Sequence, residues 1–268
     1  MLITKDAHKN KNLSASWGEL VKMRLSVFTV CFNSAKTIDH TIQSFLGQDH
    51  EDKELVVVDG SSTDRTVEIV RSYSADNIHV VSEPDEGMYD ALNKALRIYT
   101  GDAFGVLNSD DAYHDQTTLS RVADALERTD AVHGHLNFVE CQSSKKIVRR
   151  WRGEPMPSKG FRTGWMPAHP TFYARREVAD SVGEFDLSWG IAADYDWMLR
   201  ALECEQFGLE LIDHVMVDMA QGGKSTRGVG AYVNHNLEAL KSRQKWLGAG
   251  LVDYALIAKP ARKLRQFL

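Results

Sequence analysis

Two adjacent carboxylates, Asp110 and Asp111, follow closely on an apolar run from Phe104 to Leu107. Such a run reads as a buried strand, so both acids fall where the strand ends. In an α/β sheet the carboxyl ends of the strands open on the crevice where these folds take ligands. Two acids this close repel each other unless a cation, a hydrogen-bond donor or water offsets the repulsion. A hard divalent ion holding a diphosphate would do so. The plainer alternative is a solvated turn that caps a helix expected from about Thr117. Asp59 stands at a second strand end and opens the turn Gly60-Ser61-Ser62-Thr63, whose backbone can approach a ligand closely. Ser62 or Asp64 could equally cap the helix that follows. A further acid, Asp194, precedes a helix expected from Tyr195, where the helix N-terminus favours a carboxylate.

The elements that must position these groups follow a regular alternation from Leu25 onward. Strands are expected at Leu25–Phe32, Leu55–Val58, Ile78–Val81 and Phe104–Leu107, with helices at Thr37–Leu46, Arg65–Tyr73 and Met88–Tyr99 between them. This rhythm predicts a mostly parallel sheet with helices on both faces, and the continuous apolar runs fit strands buried on both sides. Past Asp130 the pattern loosens. Val132–Val139 and Lys146–Trp151 read as antiparallel strands around a Cys141–Lys145 turn, and Gly153–Pro170 as a long functional loop. Helices are expected at Arg175–Val182 and Tyr195–Glu203, and a strand at Leu211–Val217. Gln221–Gly230, with four glycines, Lys224 and Arg227, reads as a loop. In the last helix, Asn236–Leu247, the residues Leu237, Leu240 and Leu247 share one stripe, and Pro260 should break whatever helix precedes it. Residues 1–23 read as an N-terminal extension, with a short helix near Trp17–Met23. Residues 24–235 form one domain, divided into 24–111 and 112–235, and 236–268 form a helical basic tail.

Composition narrows the class. Hydrophobic content of 43% and charged content of 26% are ordinary for a soluble globular chain of 268 residues. A net charge of −5 gives no reason to expect nucleic acid as a partner. From Lys241 onward seven basic residues face one acid, so the remainder carries −11. The aromatic and aliphatic residues among those bases (Trp246, Leu247, Leu251, Tyr254, Leu256, Ile257) suit an anionic membrane surface or, equally, packing on the domain. Cys31, Cys141 and Cys204 are far apart and form no C-x-x-C pair, which fits a reducing compartment. The first twenty residues are polar, and no run approaches the ~20 apolar residues of a membrane span. A cytoplasmic location is expected, with the inner face of the plasma membrane as a place of contact.

Several segments together resemble the family 2 glycosyltransferases of the GT-A fold. Ser26-Val27-Phe28-Thr29-Val30-Cys31-Phe32-Asn33 is similar to the family's opening strand, and Val57-Val58-Asp59-Gly60-Ser61-Ser62-Thr63-Asp64-Arg65-Thr66 to its D-G-S-T-D-G-T turn. Asp85-Glu86-Gly87-Met88-Tyr89-Asp90-Ala91-Leu92-Asn93-Lys94 resembles a D-x-G-x-Y-D-A-x-N-K helix start, and Leu107-Asn108-Ser109-Asp110-Asp111 the acidic motif. His169-Pro170-Thr171-Phe172, Gly183-Glu184-Phe185-Asp186 and Ala192-Ala193-Asp194-Tyr195-Asp196-Trp197 follow in family order. Each is weak alone; the ordered series is a strong signal.

The resemblance implies a metal-dependent, inverting transfer of one sugar from a nucleotide diphosphate donor to a hydroxyl. The acceptor would be a glycan or a lipid-linked saccharide, in surface polysaccharide assembly. Phe32, Asn33, Asp59 and Ser61 would hold the nucleoside of a UDP-sugar, with Asp85 reaching the base or ribose or forming a surface turn. Asn108 and Ser109 would lie along the donor, and Asp110 and Asp111 would bind Mn2+ or Mg2+. Asp194 would be the general base, with Asp196 as the alternative. Lys224 and Arg227 would close over the diphosphate or remain a solvated basic loop. His169, Trp165, Trp189 and Asp196 fall in the acceptor or sugar pocket, although a structural histidine and core tryptophans fit the same residues. The chain departs from common patterns at Gly60, where many relatives carry a second acid, at Asn108, and at Ala193, where relatives often have Glu. Those departures keep a non-catalytic nucleotide-sugar-binding homologue open. A sugar nucleotidyltransferase shares the α/β layout but usually opens on G-x-G-T-x-x-x-P, where this chain has Phe-Asn-Ser. The absence of a Q-x-x-R-W motif argues against a processive synthase.

Overall fold

The computed structural model describes residues 22–221, 228–250 and 253–255. Strands β1 (Leu25–Cys31), β2 (Lys53–Asp59), β3 (Ile78–Ser82) and β4 (Ala103–Val106) alternate with helices α1 (Ile38–Leu46), α2 (Thr66–Ser72) and α3 (Met88–Ile98). All four strands pair in parallel, in the order β3-β2-β1-β4. The chain therefore runs outward from β1 to β3 and returns to β4 on β1's other side. That reversal makes β1 a topological switch point, where strand tips and the loops beyond them line a crevice.

The continuous apolar runs have a simple cause. Leu25, Val27, Leu55 and Val57 point into one core with Ile38, Ile42 and Phe45 of α1. Phe28, Val56 and Val58 point to the opposite face, against Leu92 and Ala95 of α3. Both faces are covered, so every position is apolar or internally bonded. Each such buried aliphatic or aromatic side chain contributes roughly 1.5–3 kcal/mol.

The second half completes the sheet differently. It comprises β5 (Ala112–Tyr113), α4 (Thr118–Leu126), β6 (Ala131–Val139), β7 (Ile147–Trp151), β8 (Tyr173–Arg175), α5 (Arg176–Val182), α6 (Ala193–Leu199), β9 (Leu209–Ala220) and α7 (Gly228–Leu247). β8 lies antiparallel between β4 and β6, β6 and β9 are parallel, and β5 pairs with β9 at the far edge. The expected hairpin of β6 and β7 is present. The sheet is thus mixed, with parallel pairing over most of its registered length, as expected.

Several boundaries differ from expectation. The two- and three-residue strands β5 and β8 are too short to carry a periodic pattern, and tertiary pairing makes them strands. The Gly153–Pro170 loop contains two 3-10 turns, Gly160–Thr163 and His169–Thr171. α7 begins at Gly228, inside the expected glycine-rich loop, and runs across the expected boundary at 235/236. Its packed face includes Ala239, Leu240, Ser242 and Arg243, and Leu247 packs against the same core, while Leu237 is 49% exposed, so two of the three leucines of the expected stripe face the domain. Among the described residues no helix is long and apolar enough to cross a membrane. The helix expected near Trp17 and the segment around Pro260 lie outside the described residues, apart from Lys22 and Met23, which are not helical.

Candidate active site

Parallel register puts Cys31, Asp59 and Ser82 side by side at the carboxyl edge of β1, β2 and β3. Asp59 is fully buried. Its Oδ2 accepts from the Ser62 N–H at 2.9 Å and the Ser82 hydroxyl at 2.7 Å, and its Oδ1 from the Ser62 hydroxyl. Asp59 therefore shapes the turn expected to hold the nucleoside. Asn33 does similar work from β1: its Oδ1 accepts from the Thr63 N–H at 2.9 Å and the Asp64 N–H at 3.3 Å. Asn33 and Ser61 both adopt left-handed backbone, φ 53° and 61°. For a serine that conformation costs roughly 1–2 kcal/mol, and the turn's hydrogen bonds hold it.

Phe32 leaves its ring 56% exposed at the β1 tip, an open apolar face of the kind that stacks on a base. Across from it, Asp85 explains Gly60. A Cβ on Gly60 would lie 2.5 Å from Asp85 Oδ2, so a larger residue there would push that carboxylate off the β2 tip. Asp85 Oδ1 accepts from the Gly87 N–H at 2.9 Å.

At the β4 tip the two neighbouring acids have different environments. Asp111 is fully buried; its Oδ1 accepts from the Ala220 N–H at 3.1 Å and its Oδ2 from the Asn108 amide at 3.0 Å. Both oxygens thus have internal partners, one in the loop and one at the end of β9. Asp110 receives a hydrogen bond only from its own backbone N–H among the described residues, and burial raises its pKa. Burial, followed by the charge of Asp110, pushes Asp111 well above the usual carboxylate range. Beside them the Asn108 side-chain oxygen is buried without a partner. An uncompensated carboxylate and an orphaned amide oxygen form a hard, oxygen-only donor set, which fits Mg2+ or Mn2+. No group of three or more His, Cys, Asp or Glu gathers among the described residues, so phosphate and water would supply the other ligands. The loop is well braced. Ser109 shares a 2.9 Å hydroxyl contact with Ser34, and the Gln142 amide donates to the Asp110 carbonyl at 3.1 Å and the Asp218 carbonyl at 2.7 Å.

The candidate base lies in the first turn of α6. That helix starts at Ala193, with Ala192 as its cap, so Asp194 is not the cap residue. Asp194 Oδ1 accepts from the Tyr195 N–H at 2.8 Å and lies 3.2 Å from the Tyr89 hydroxyl; its Oδ2 lies 3.9 Å from His169 Nδ1. The Tyr89 hydroxyl also reaches the Ile191 carbonyl at 3.1 Å, and burial pushes its pKa well up. Burial lowers the pKa of His169, Asp194 partly opposes that, and His169 Nε2 is buried without a partner. The segment 85–89 thus spans both sides, with Asp85 over the β2 tip and Tyr89 on Asp194.

The remaining expected pocket residues divide. Asp196 is fully buried and accepts from Ser242 Oγ at 2.8 Å, Trp246 Nε1 at 2.9 Å and Arg200 Nε at 3.0 Å, so it ties α6 to α7 and is not a pocket residue. Trp165 belongs to the core, edge-on to Phe161 and His133, and its Nε1 donates to the Glu154 carbonyl. It offers no open ring face for stacking. Trp189 is half-buried, with Lys245 Nζ 5.8 Å from its ring centre. Lys224 and Arg227 lie outside the described residues. Sequence reasoning missed Tyr89, Gln142 and Glu238. Tyr89 sits within a quoted motif, directly after Gly87-Met88, but nothing in the order of residues pairs it with Asp194.

The sequence model described as Glycosyl transferase family 2 matches residues 26–183, more than half of the chain. An uncharacterized glycosyltransferase of Mycobacterium tuberculosis is 31% identical over 188 residues, 68% of this chain and 70% of that protein. A PGL/p-HBAD biosynthesis glycosyltransferase of Mycobacterium bovis is 28% identical over 182 residues, 65% and 68% of the two chains. Among solved structures, S. aureus TarS 1–349 in complex with UDP-GlcNAc superposes with a TM-score of 0.67 at 21% identity, covering 91% of this chain and 73% of that one. The mannosyltransferase PcManGT of Pyrobaculum calidifontis, in complex with GDP-Man and Mn2+, gives 0.64 at 19% identity, covering 92% and 70%. The fold shared with these neighbours is GT-A.

Proposed function

The chain belongs to glycosyl transferase family 2, and from that premise we propose that it moves one sugar, with inversion, from a UDP-sugar to an acceptor hydroxyl. The observation that carries this reading is the Asp110 carboxylate, half-buried at the β4 tip with no side-chain partner among the described residues, beside the orphaned Asn108 oxygen. A divalent ion held by Asp110 and Asn108 would neutralise the diphosphate as it leaves. Phe32 stacks on the base. Asp85 Oδ2, resting over Gly60, accepts from the ring N–H of uracil. Ser61 and the turn braced by Asn33 and Asp59 line the ribose side.

Asp194 takes the proton from the attacking acceptor hydroxyl. Its neighbours suit that role: the Tyr89 hydroxyl fixes one carboxylate oxygen, and burial disfavours the charged form of His169 beside the other. Trp189 flanks the acceptor side. A binding-only role is disfavoured by this arrangement, since among the described residues nothing donates to Asp194 Oδ2 beyond the 3.9 Å approach of His169. The names of the mycobacterial relatives and of TarS support an acceptor that is a glycan or lipid-linked saccharide in surface polymer assembly. The basic residues beyond α7 would bring the enzyme to the membrane that carries such acceptors.

Calorimetry with UDP-glucose, UDP-GlcNAc and GDP-mannose, with Mn2+ and with chelator, tests the reading. One UDP-sugar should bind with Mn2+ and lose at least about tenfold affinity in chelator or in Asp110→Asn, in line with the loss of a charged contact. Equal affinity with and without the ion in both proteins would sink it.

A further inference from the structure

Helix starts leave backbone N–H groups that need acceptors. α6, which carries Asp194, begins on Ala192 and Ala193 and has no side-chain cap of its own. The acceptor comes instead from α7. Glu238 Oε2 accepts from the Ile191 N–H at 2.9 Å and from the Ala192 N–H at 3.0 Å. Gly190 leaves room for it, since a Cβ there would stand 3.0 Å from Glu238 Oε1. The same turn is gripped from the other side by Tyr89, whose hydroxyl reaches both the Ile191 carbonyl and Asp194. One carboxylate thus fixes the peptide to which the Tyr89–Asp194–His169 group is attached.

Anchoring of α7 rests on other contacts. Ser242 and Trp246 bond to Asp196, and Arg243 donates to the Tyr195 hydroxyl at 2.7 Å. These hold the two helices together whether or not Glu238 is present, so Glu238 is not needed to dock α7. Among the described residues its bonds go to the turn ahead of the candidate base.

We propose that Glu238 is a positioning residue for sugar transfer, holding the 191–192 peptide so that Asp194 faces the acceptor hydroxyl. The C-terminal helix is then part of the catalytic apparatus. This rests on Asp194 being the base, and the test separates the two ideas. A misplacement of about 1 Å can reduce turnover by roughly 100-fold.

In the full-length chain, Glu238→Ala, Glu238→Gln, Ser242→Ala and Asp194→Asn are compared with the wild type. Turnover is followed as nucleotide release from UDP-glucose, UDP-GlcNAc and GDP-mannose with Mn2+, and the His169 ring is titrated by NMR. Glu238→Ala should lower kcat about 10- to 100-fold with the donor KM within about twofold, and Glu238→Gln should restore part of the loss. Ser242→Ala should lower the unfolding midpoint and leave kcat alone. Because Asp194 partly offsets the burial of His169, its displacement in Glu238→Ala should lower the His169 pKa further. That readout does not depend on turnover. Wild-type kcat in Glu238→Ala, or an unchanged His169 titration, overturns the proposal. Wild-type turnover in Asp194→Asn overturns the base assignment instead, and the His169 titration then still decides whether Glu238 positions Asp194.

Discussion

The two halves of the site are built in opposite ways. On the nucleoside side, the bonds that shape the pocket stay within successive strand tips and their turns: Asn33 to the Thr63 turn, Asp59 to Ser62 and Ser82, Asp85 to Gly87; the Asp110–Asp111 loop is the exception, braced by Ser34 and by the Ala220 N–H from β9. On the acceptor side they join distant parts of the chain. Tyr89 and Asp194 are 105 residues apart, and Ile191 and Glu238 are 47 apart. The donor pocket follows from successive βαβ units laid edge to edge, whereas the base is positioned only when α3, α6 and α7 converge. Donor binding and transfer should therefore be separable by mutation.

The largest expected effect is on chemistry. Asp194→Asn keeps the shape and the hydrogen bond from Tyr195 but removes the base, so kcat should fall by roughly 10²–10⁴ while calorimetric donor affinity stays within about twofold. Loss of donor affinity in that variant would show that the two halves are not independent. Next is Asp196→Ala. Removing this fully buried carboxylate strands Arg200, Ser242 and Trp246, and should cost roughly 3–5 kcal/mol of unfolding free energy in denaturant titration. A near-normal midpoint with reduced transfer would return Asp196 to the acceptor pocket.

The smallest effect is pH-dependent and falls in β6. His133 is buried edge-on to Trp165 with both ring nitrogens unpartnered, and burial, then the nearby His135, lowers its pKa to about 4. A histidine whose folded pKa is depressed stays neutral in the fold while the unfolded chain takes up a proton. Stability should therefore fall as pH drops from about 6.5 to about 4, by about 3 kcal/mol in total, and be unaffected by this group above that window. His133→Phe should remove that share of the acid loss, as urea midpoints at pH 7.5, 5.5 and 4.5 would show. An identical pH profile in the variant would rule His133 out as the source.

Legibility follows the same division. The strands β1 to β4 and helices α1 to α3 were readable within a residue or two, because burial on both faces leaves an unbroken apolar signature between turn residues. The acids at the strand tips were readable as a group, but their roles were not. Asp59 and Asp111 carry internal hydrogen bonds that Asp110 lacks, since sequence shows that a carboxylate is present and not how many donors surround it. Gly60 looked like a missing acid; Asp85 fills that space from the next loop. Leu237 looked buried and is exposed, whereas Leu240 and Leu247 of the same stripe pack on the domain.

By itself the order of residues determined the parallel half-sheet, the edge at which a ligand must lie, the family, and the short list of acids able to do the chemistry. These depend on local periodicity and on motif spacing, which short-range sterics and hydrophobic burial translate directly into structure. Only the tertiary structure decided which acids remain unpaired, that Tyr89 and His169 flank Asp194, and that Glu238 reaches across from the last helix. Hydrogen-bond saturation and burial depend on which distant segments arrive at one place, and no spacing along the chain encodes that.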